Sequence, residues 1–222
     1  MPACLLANRS SKVLSLSYAL HKLSLSYRSS SPHIMDLDPG ESPRRFGVHK
    51  DPIFHVYIAN AITLAYSCIE ELGLQVKATK ENPSKMPDGN WNASVKSDVE
   101  ARLKKSGINI TDPHVWTLRG PKTRIEARRA PTSAGKTSWT RGQVRDVKMM
   151  LIDALAHASW LRSTTTTHGL SSSARSLTVY DAYNVQSLAR RLFLEKLGFW
   201  RTEIVARRDA DRDKKNRIEA AK

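Results

Sequence analysis

The sequence predicts an all-α protein. Two observations support this fold class: the spacing of apolar residues and the signals for helix ends. Apolar residues recur at helical spacing over four long stretches, near residues 12–28, 53–78, 143–162 and 179–199. Ser94 is a candidate N-cap for a shorter fifth helix that Gly107 would end. Residues 108–141 show no sustained period and nothing else reads as a sheet. We therefore expect a bundle of four or five helices with one irregular, basic insertion.

Composition narrows the class of protein. The chain of 222 residues carries 36 Lys+Arg against 21 Asp+Glu, a formal net charge of +15, and 40% of it is hydrophobic. Its two cysteines, Cys4 and Cys68, form no metal-ligand cluster, and we read Cys68 as a core residue. The longest nearly apolar stretch, residues 56–69, is shorter than the ~20 residues that a membrane span needs. These features predict no metal or cofactor, no membrane span and a polyanionic partner such as nucleic acid.

The amino terminus allows several interpretations. The first 35 residues contain no acid and are rich in serine, which is typical of an organellar transit peptide. Leu16, Ala19, Leu20, Leu23 and Tyr27 recur at helical spacing, while alternation from Leu14 to Leu20 would also suit a strand. We favour a core helix, a cytoplasmic protein and disorder at residues 1–11. The organellar alternative requires residues 1–30 to be cleaved.

The rest of the chain divides into one domain and a tail. Prolines and glycines between residues 29 and 52 indicate a loop, and Asp51-Pro52 then begins the most apolar helix. Residues 79–142 form the insertion within a single domain spanning residues 12–200. The alternating charges of residues 201–222 indicate a solvated tail.

Two motifs could carry chemistry. Residues 130–137 match a relaxed phosphate-loop pattern, but the preceding TRIEARR is not a buried strand, so we favour a basic surface loop. Arg162 and His168 are separated by five residues where one long helix ends. A guanidinium can bind phosphate oxygens and an imidazole can move protons, so together they suit metal-independent RNA cleavage. Their structural alternatives are a helix C-terminal cation and a surface loop residue.

This pair resembles the motif of the HEPN domains, which are four-helix bundles. Their ribonuclease members carry Arg, four to six residues, then His, often followed by Gly; here these are Arg162, His168 and Gly169, with Ser163 where Asn, Asp or His is common. The Glu70-Glu71-Leu-Gly string and the order of helices are similar to those of HEPN families over residues 12–78 and 143–199.

The resemblance implies a fold, an activity and partners. It implies a homodimer in which two Arg/His motifs line one cleft and cut RNA without a metal, leaving a cyclic phosphate. It also implies a toxin or defence role, with an antitoxin or another protein as a further partner. Other members only bind nucleotides or partners. We expect Arg162 and His168 to be catalytic, Ser163 to support them, and Glu70 or Glu71 to pair with Arg162.

A basic stretch offers a second surface. From Arg119 to Lys148 there are nine Lys/Arg and two acids, with tryptophans interleaved. The candidate RNA-binding residues are Trp116, Arg119, Lys122, Arg124, Arg128, Arg129, Lys136, Trp139 and Arg141. Tryptophan can stack on bases while cations hold phosphates, or it can pack the insertion onto the bundle; both alternatives stay open. A non-catalytic module that binds RNA or a protein through this 119–148 face is therefore the alternative function.

Overall fold

The computed structural model describes residues 13–35, 52–86, 90–119, 144–163 and 177–199. Within these ranges the protein is mostly helical, with five helices and one antiparallel pair of strands. The elements in chain order are α1 (Leu14–Met35), α2 (Pro52–Glu71), α3 (Ala93–Lys105), β1 (His114–Arg119), β2 (Val144–Met149), α4 (Leu151–Leu161) and α5 (Val179–Lys196). None of the helices in these ranges is both long and apolar enough to cross a membrane.

Helix α2 is the central helix of the bundle, as its apolar composition predicts. It packs against α1, α4 and α5, and its side chains from Ile58 to Ile69 supply much of the core. The prediction extended α2 to about Ala78, but the helix ends at Glu71. Gly73 adopts a φ of 72°, which reverses the chain because glycine has no Cβ to clash there. The Val76 amide then donates to the Tyr66 hydroxyl at 3.1 Å instead of continuing the helix.

Helix α1 confirms the core-helix interpretation of the amino terminus. Leu16, Ala19 and Leu23 are buried against the rest of the bundle, at the spacing that the sequence shows. The helix runs seven residues beyond Arg28, to Met35, so the predicted loop from Ser29 begins too early. Ser29 and Ser30 fit in the helix because their hydroxyls donate to backbone carbonyls one turn back. Ser29 Oγ donates to Leu25 O at 3.0 Å, and Ser30 Oγ donates to Ser26 O at 3.4 Å. Residues 1–12 and 36–51, which include the predicted disordered end, lie outside the described residues.

The absence of a sheet and the helix over residues 143–162 are both wrong predictions. Residues 144–149 form β2, which pairs with β1 in a register that runs from His114 opposite Met149 to Arg119 opposite Val144. The helix begins only at Leu151. Val144 and Val147 fit a helical period, but their branched side chains also suit a strand, and β1 supplies the hydrogen-bonding partner. The insertion predicted at residues 79–142 contains the expected short helix, α3, and also the strand β1, which was not expected.

Local capping explains where the shorter elements begin and end. The N-cap of α3 is Asn92, not Ser94: the Asn92 side chain accepts from the Ser94 amide at 3.1 Å. Gly107, at a φ of 73°, follows the end of α3 as predicted. Helix α5 begins with a capping box between Thr178 and Asp181. The tail at residues 201–222 lies outside the described residues.

Three buried polar side chains on α5 fix the positions of its neighbours. The Asn184 amide donates to Thr117 O and accepts from Thr117 N, both at 2.8 Å, and so attaches β1 to α5. The amide nitrogen of Gln186 donates to acceptors on α1 that include Ser30 Oγ at 2.9 Å. Arg191, 2% exposed, donates to Pro113 O at 2.8 Å and pairs with Glu195 at 2.7 Å. This guanidinium holds the loop before β1 against α5.

Candidate functional site

Arg162 lies directly after α4 and is the described member of the Arg/His pair. It is the C-cap of α4, and its side chain is 37% exposed. Its Nη2 is 3.4 Å from Glu70 Oε1 on α2, which confirms the predicted pairing. Glu71 turns instead to α1, where its carboxylate accepts from Lys22 Nζ at 2.6 Å. Of the two acids that the sequence offered, Glu70 therefore supports Arg162.

Tyr66 and Ser67 complete the setting of this guanidinium. The Arg162 Cζ is 5.9 Å from the centre of the Tyr66 ring, within the range of a cation–π contact. Tyr66 lies one helical turn before Glu70, so both project from the same side of α2. Ser67 Oγ donates to the second oxygen of Glu70 at 3.2 Å, which fixes the carboxylate. Burial raises the pKa of Tyr66, although a hydrogen bond with Ser159 of α4 opposes this rise, so its hydroxyl stays protonated at neutral pH.

The partly exposed side chain of Arg162 can meet an anion that approaches from solvent. A guanidinium has five N–H donors, and an ion pair as exposed as this one is worth only about 0–1 kcal/mol. A phosphate that approaches the exposed side can therefore bind without a large cost from displacing Glu70. The tyrosine ring and the carboxylate restrict the direction in which the guanidinium points.

The other members of the predicted catalytic set are placed less fully. Ser163 is exposed, and its Oγ donates to Trp160 O at 3.3 Å, which keeps it near the end of α4. His168 lies outside the described residues, as does the relaxed phosphate loop at residues 130–137.

Trp116 belongs to the core and not to an RNA-binding surface. Its side chain is 4% exposed, and its ring lies 5.7 Å from that of His157 on α4. The assignment of Trp116 to base stacking is therefore wrong, and the packing alternative holds. Because Trp116 occupies an inward position of β1, pairing with β2 turns it toward α4 and α5.

Of the remaining RNA-binding candidates, Arg119 alone belongs to the residues that the structure describes. Arg119 ends β1 opposite Val144, and Arg145 and Lys148 are exposed on β2. The other predicted RNA-binding residues, Lys122, Arg124, Arg128, Arg129, Lys136, Trp139 and Arg141, lie outside the described residues.

A second polar cluster was missed by the sequence analysis. Asp153 accepts at Oδ1 from Lys85 Nζ and from Trp91 Nε1, each at 2.8 Å. Burial opposes the charged carboxylate, but these two donors hold the pKa of Asp153 below its usual range. The Lys85 ammonium also lies 4.4 Å from the centre of the Trp91 ring. The only sequence signal for this attachment to α4 is that Lys85 and Trp91 lie close together in one turn-rich segment.

Among the described residues, no group of three or more His, Cys, Asp or Glu side chains could hold a metal ion. Neither the models of protein families nor the curated proteins nor the solved structures contain a match to this chain. Its function must therefore be inferred from the chemistry of its own side chains.

Proposed function

We propose that the protein is a HEPN-like, metal-independent endoribonuclease in which Arg162 and His168 act on the RNA phosphodiester. One observation carries the proposal: the guanidinium of Arg162 is oriented by Glu70 and Tyr66, yet the Arg162 side chain remains 37% exposed, six residues before His168. A cation that is held in one direction and reachable by solvent is suited to bind a phosphate. The net charge of +15 favours the approach of a polyanion.

The reaction assigns one task to each residue. Arg162 binds the two non-bridging oxygens and stabilises the negative charge that grows on them. His168 accepts the proton of the ribose 2′-OH as its oxygen forms a bond to phosphorus and the bond from phosphorus to O5′ breaks. The leaving O5′ takes up a proton from an imidazolium, which the second motif of a homodimer would supply. The products are a 2′,3′-cyclic phosphate and a 5′-hydroxyl.

Glu70 and Tyr66 act on this reaction through Arg162. The carboxylate fixes the guanidinium on one side while Ser67 fixes the carboxylate, and the ring of Tyr66 lies beneath. Loss of the Glu70 charge should therefore leave a functional but less well oriented cation. We expect Glu70→Gln to retain more activity than Arg162→Ala.

The test is cleavage of a mixed single-stranded RNA in EDTA. Arg162→Ala should lower the rate roughly 10²- to 10³-fold, as removal of a charge-stabilising donor does. His168→Ala should lower it roughly 10²- to 10⁴-fold. Arg162→Lys, which keeps the charge but not the two-pronged geometry, should fall between Arg162→Ala and wild type.

Product ends and a matched control complete the experiment. Each product should carry a cyclic phosphate. Lys96→Ala, which removes an exposed cation paired with Glu100 on α3, should cleave like wild type. If Arg162→Ala and His168→Ala fold normally by circular dichroism and cleave at the wild-type rate, the proposal is wrong.

A second candidate function is RNA or protein binding without catalysis, through the 119–148 face. The pairing of Arg119 with Val144 favours it, because the β ladder joins both ends of the basic stretch to the core. Replacing Lys122, Arg124 and Arg128 together by alanine should then weaken RNA binding. The slope of log Kd against log NaCl concentration should fall by about three. RNA binding that depends on these residues, in a protein that does not cleave, would favour this second function.

A further inference from the structure

Two exposed tyrosines lie on either side of the contact between α1 and α5. Tyr27 of α1 is 38% exposed and Tyr183 of α5 is 53% exposed. Close to both in sequence, Gln186 Nε2 of α5 donates to Ser26 O at 3.1 Å and to Ser26 Oγ at 3.0 Å on α1. Because Ser26 precedes Tyr27 and Gln186 follows Tyr183 by three residues, these buried hydrogen bonds join the helix segments that carry the two tyrosines.

The two helices place cations and hydroxyls around these rings. On α5, Arg190 is exposed and follows Tyr183 by seven residues, two helical turns, with Ser187 between them on the same side. On α1, the exposed Arg28 follows Tyr27, and Ser24 precedes it by three residues. We call this surface, made of Ser24, Tyr27, Arg28, Tyr183, Ser187 and Arg190, the tyrosine face.

On the described helices α1 and α5, no acidic side chain is available to offset these cations. Helix α1 contains no Asp or Glu. The two acids near the ends of α5 are engaged: Asp181 accepts from Thr178 in the capping box, and Glu195 pairs with Arg191. Burial raises the pKa of Tyr27, and the positive charge of Arg190 opposes part of that rise, which places Arg190 near the ring.

We propose that the tyrosine face binds single-stranded RNA, with bases stacked on Tyr27 and Tyr183 and phosphates held by Arg190 and Arg28. Aromatic rings interleaved with cations are the usual way to hold a single strand without reading its sequence. The proposal takes its ligand from the proposed function. A lipid surface fits less well, because the residues one helical turn from the rings, Ser24 on α1 and Ser187 on α5, carry hydroxyls and not aliphatic side chains.

The experiment measures binding without cleavage. The probe is a 5′-fluorescein-labelled RNA of 12 nucleotides whose ribose 2′-oxygens are all methylated, so that no 2′-OH can attack. Fluorescence anisotropy gives its Kd over a range of NaCl concentrations. Tyr183→Ala and Tyr27→Ala should each weaken binding about 5- to 150-fold, the equivalent of about 1–3 kcal/mol for one stacked base. Tyr183→Phe should bind like wild type. Arg190→Ala should reduce the slope of log Kd against log NaCl concentration by about one.

Two variants serve as matched controls. Tyr18, 54% exposed, lies nine residues before Tyr27 and therefore on the opposite side of α1. Tyr18→Ala should leave the Kd unchanged. Lys105→Ala removes one exposed cation from α3 and should weaken binding less than Arg190→Ala.

The outcomes separate this proposal from the nuclease. Binding that is lost equally in Tyr18→Ala, or unaffected in folded Tyr27→Ala and Tyr183→Ala, would overturn the tyrosine face. The proposal would also be overturned if Tyr27→Ala and Tyr183→Ala kept RNA binding but lost binding to phosphatidylserine vesicles, because the face would then bind a membrane. Stacking-dependent binding by a protein that never cuts RNA would support the face and refute the proposed cleavage.

Discussion

His114, the first residue of β1, is buried as an uncharged side chain. It is 4% exposed, and in the described part of the chain its Nε2 has no hydrogen-bond partner. Burial lowers the pKa of His114 from 6.5 to about 4, and the charge of the neighbouring Arg191 lowers it further in the same direction. A proton on this imidazole would therefore be unfavourable in the folded protein and acceptable in the unfolded chain.

The sign of the effect on stability follows from these two pKa values. Above pH 6.5 neither state binds the proton, so His114 has no effect. As the pH falls from 6.5 toward 4, the unfolded chain takes up a proton that the folded protein does not, and the free energy of unfolding decreases. Between pH 7 and pH 5 this linkage is worth about 2 kcal/mol.

The perturbation that isolates this effect is His114→Phe, which retains a ring beside Trp116. Urea unfolding, followed by circular dichroism at pH 7 and at pH 5, gives the free energy of unfolding for each protein. Any packing change in the variant acts at both pH values and cancels in the difference. Wild type should lose about 2 kcal/mol more than His114→Phe on acidification.

A second histidine variant controls for general charge effects. His21 is exposed on α1, and His21→Phe should show the same loss on acidification as wild type. Equal losses in wild type and His114→Phe would refute the reasoning, because the buried imidazole would then not be the group that the acid titrates.

Two further predictions concern buried groups. Arg191→Met should cost about 3–5 kcal/mol of unfolding free energy, measured with urea at pH 7, because it leaves the carboxylate of Glu195 without its cation; a loss no larger than that of Lys96→Met, an exposed pair, would contradict this. Burial raises the pKa of Cys68 to about 12. In a Cys4→Ser variant, Ellman's reagent at pH 8 should therefore react only after urea is added, and rapid reaction of the folded protein would disprove this burial.

The local parts of the fold were predictable because their causes are local. Apolar spacing identified α1, α2 and α5, and the glycine after α3 marked the end of that helix. The pairing of Glu70 or Glu71 with Arg162 was also predictable, since an acid in an apolar helix needs a partner. Helix phase alone could not choose between the two acids. Glu70 shares the side of α2 that carries Tyr66, and Glu71 faces Lys22 on α1.

The wrong predictions for residues 144–149 and for Trp116 share a single physical reason. Residues 144–149 fit both a helical and an extended pattern, and β1, 25 residues earlier in the chain, decided between them by offering a ladder of hydrogen bonds. Trp116 became a core residue for the same cause, because the strand pairing sets which side of β1 faces inward.

The sequence by itself determined a basic, mostly helical protein and placed an arginine at the end of a helix. Only the tertiary structure decided that this arginine rests on Tyr66 and that Tyr27 and Tyr183 share one surface. Composition and periodicity record what a residue prefers, whereas the partner that satisfies a buried or charged group comes from another part of the chain. That choice is made by the packing of whole helices, which no single segment encodes.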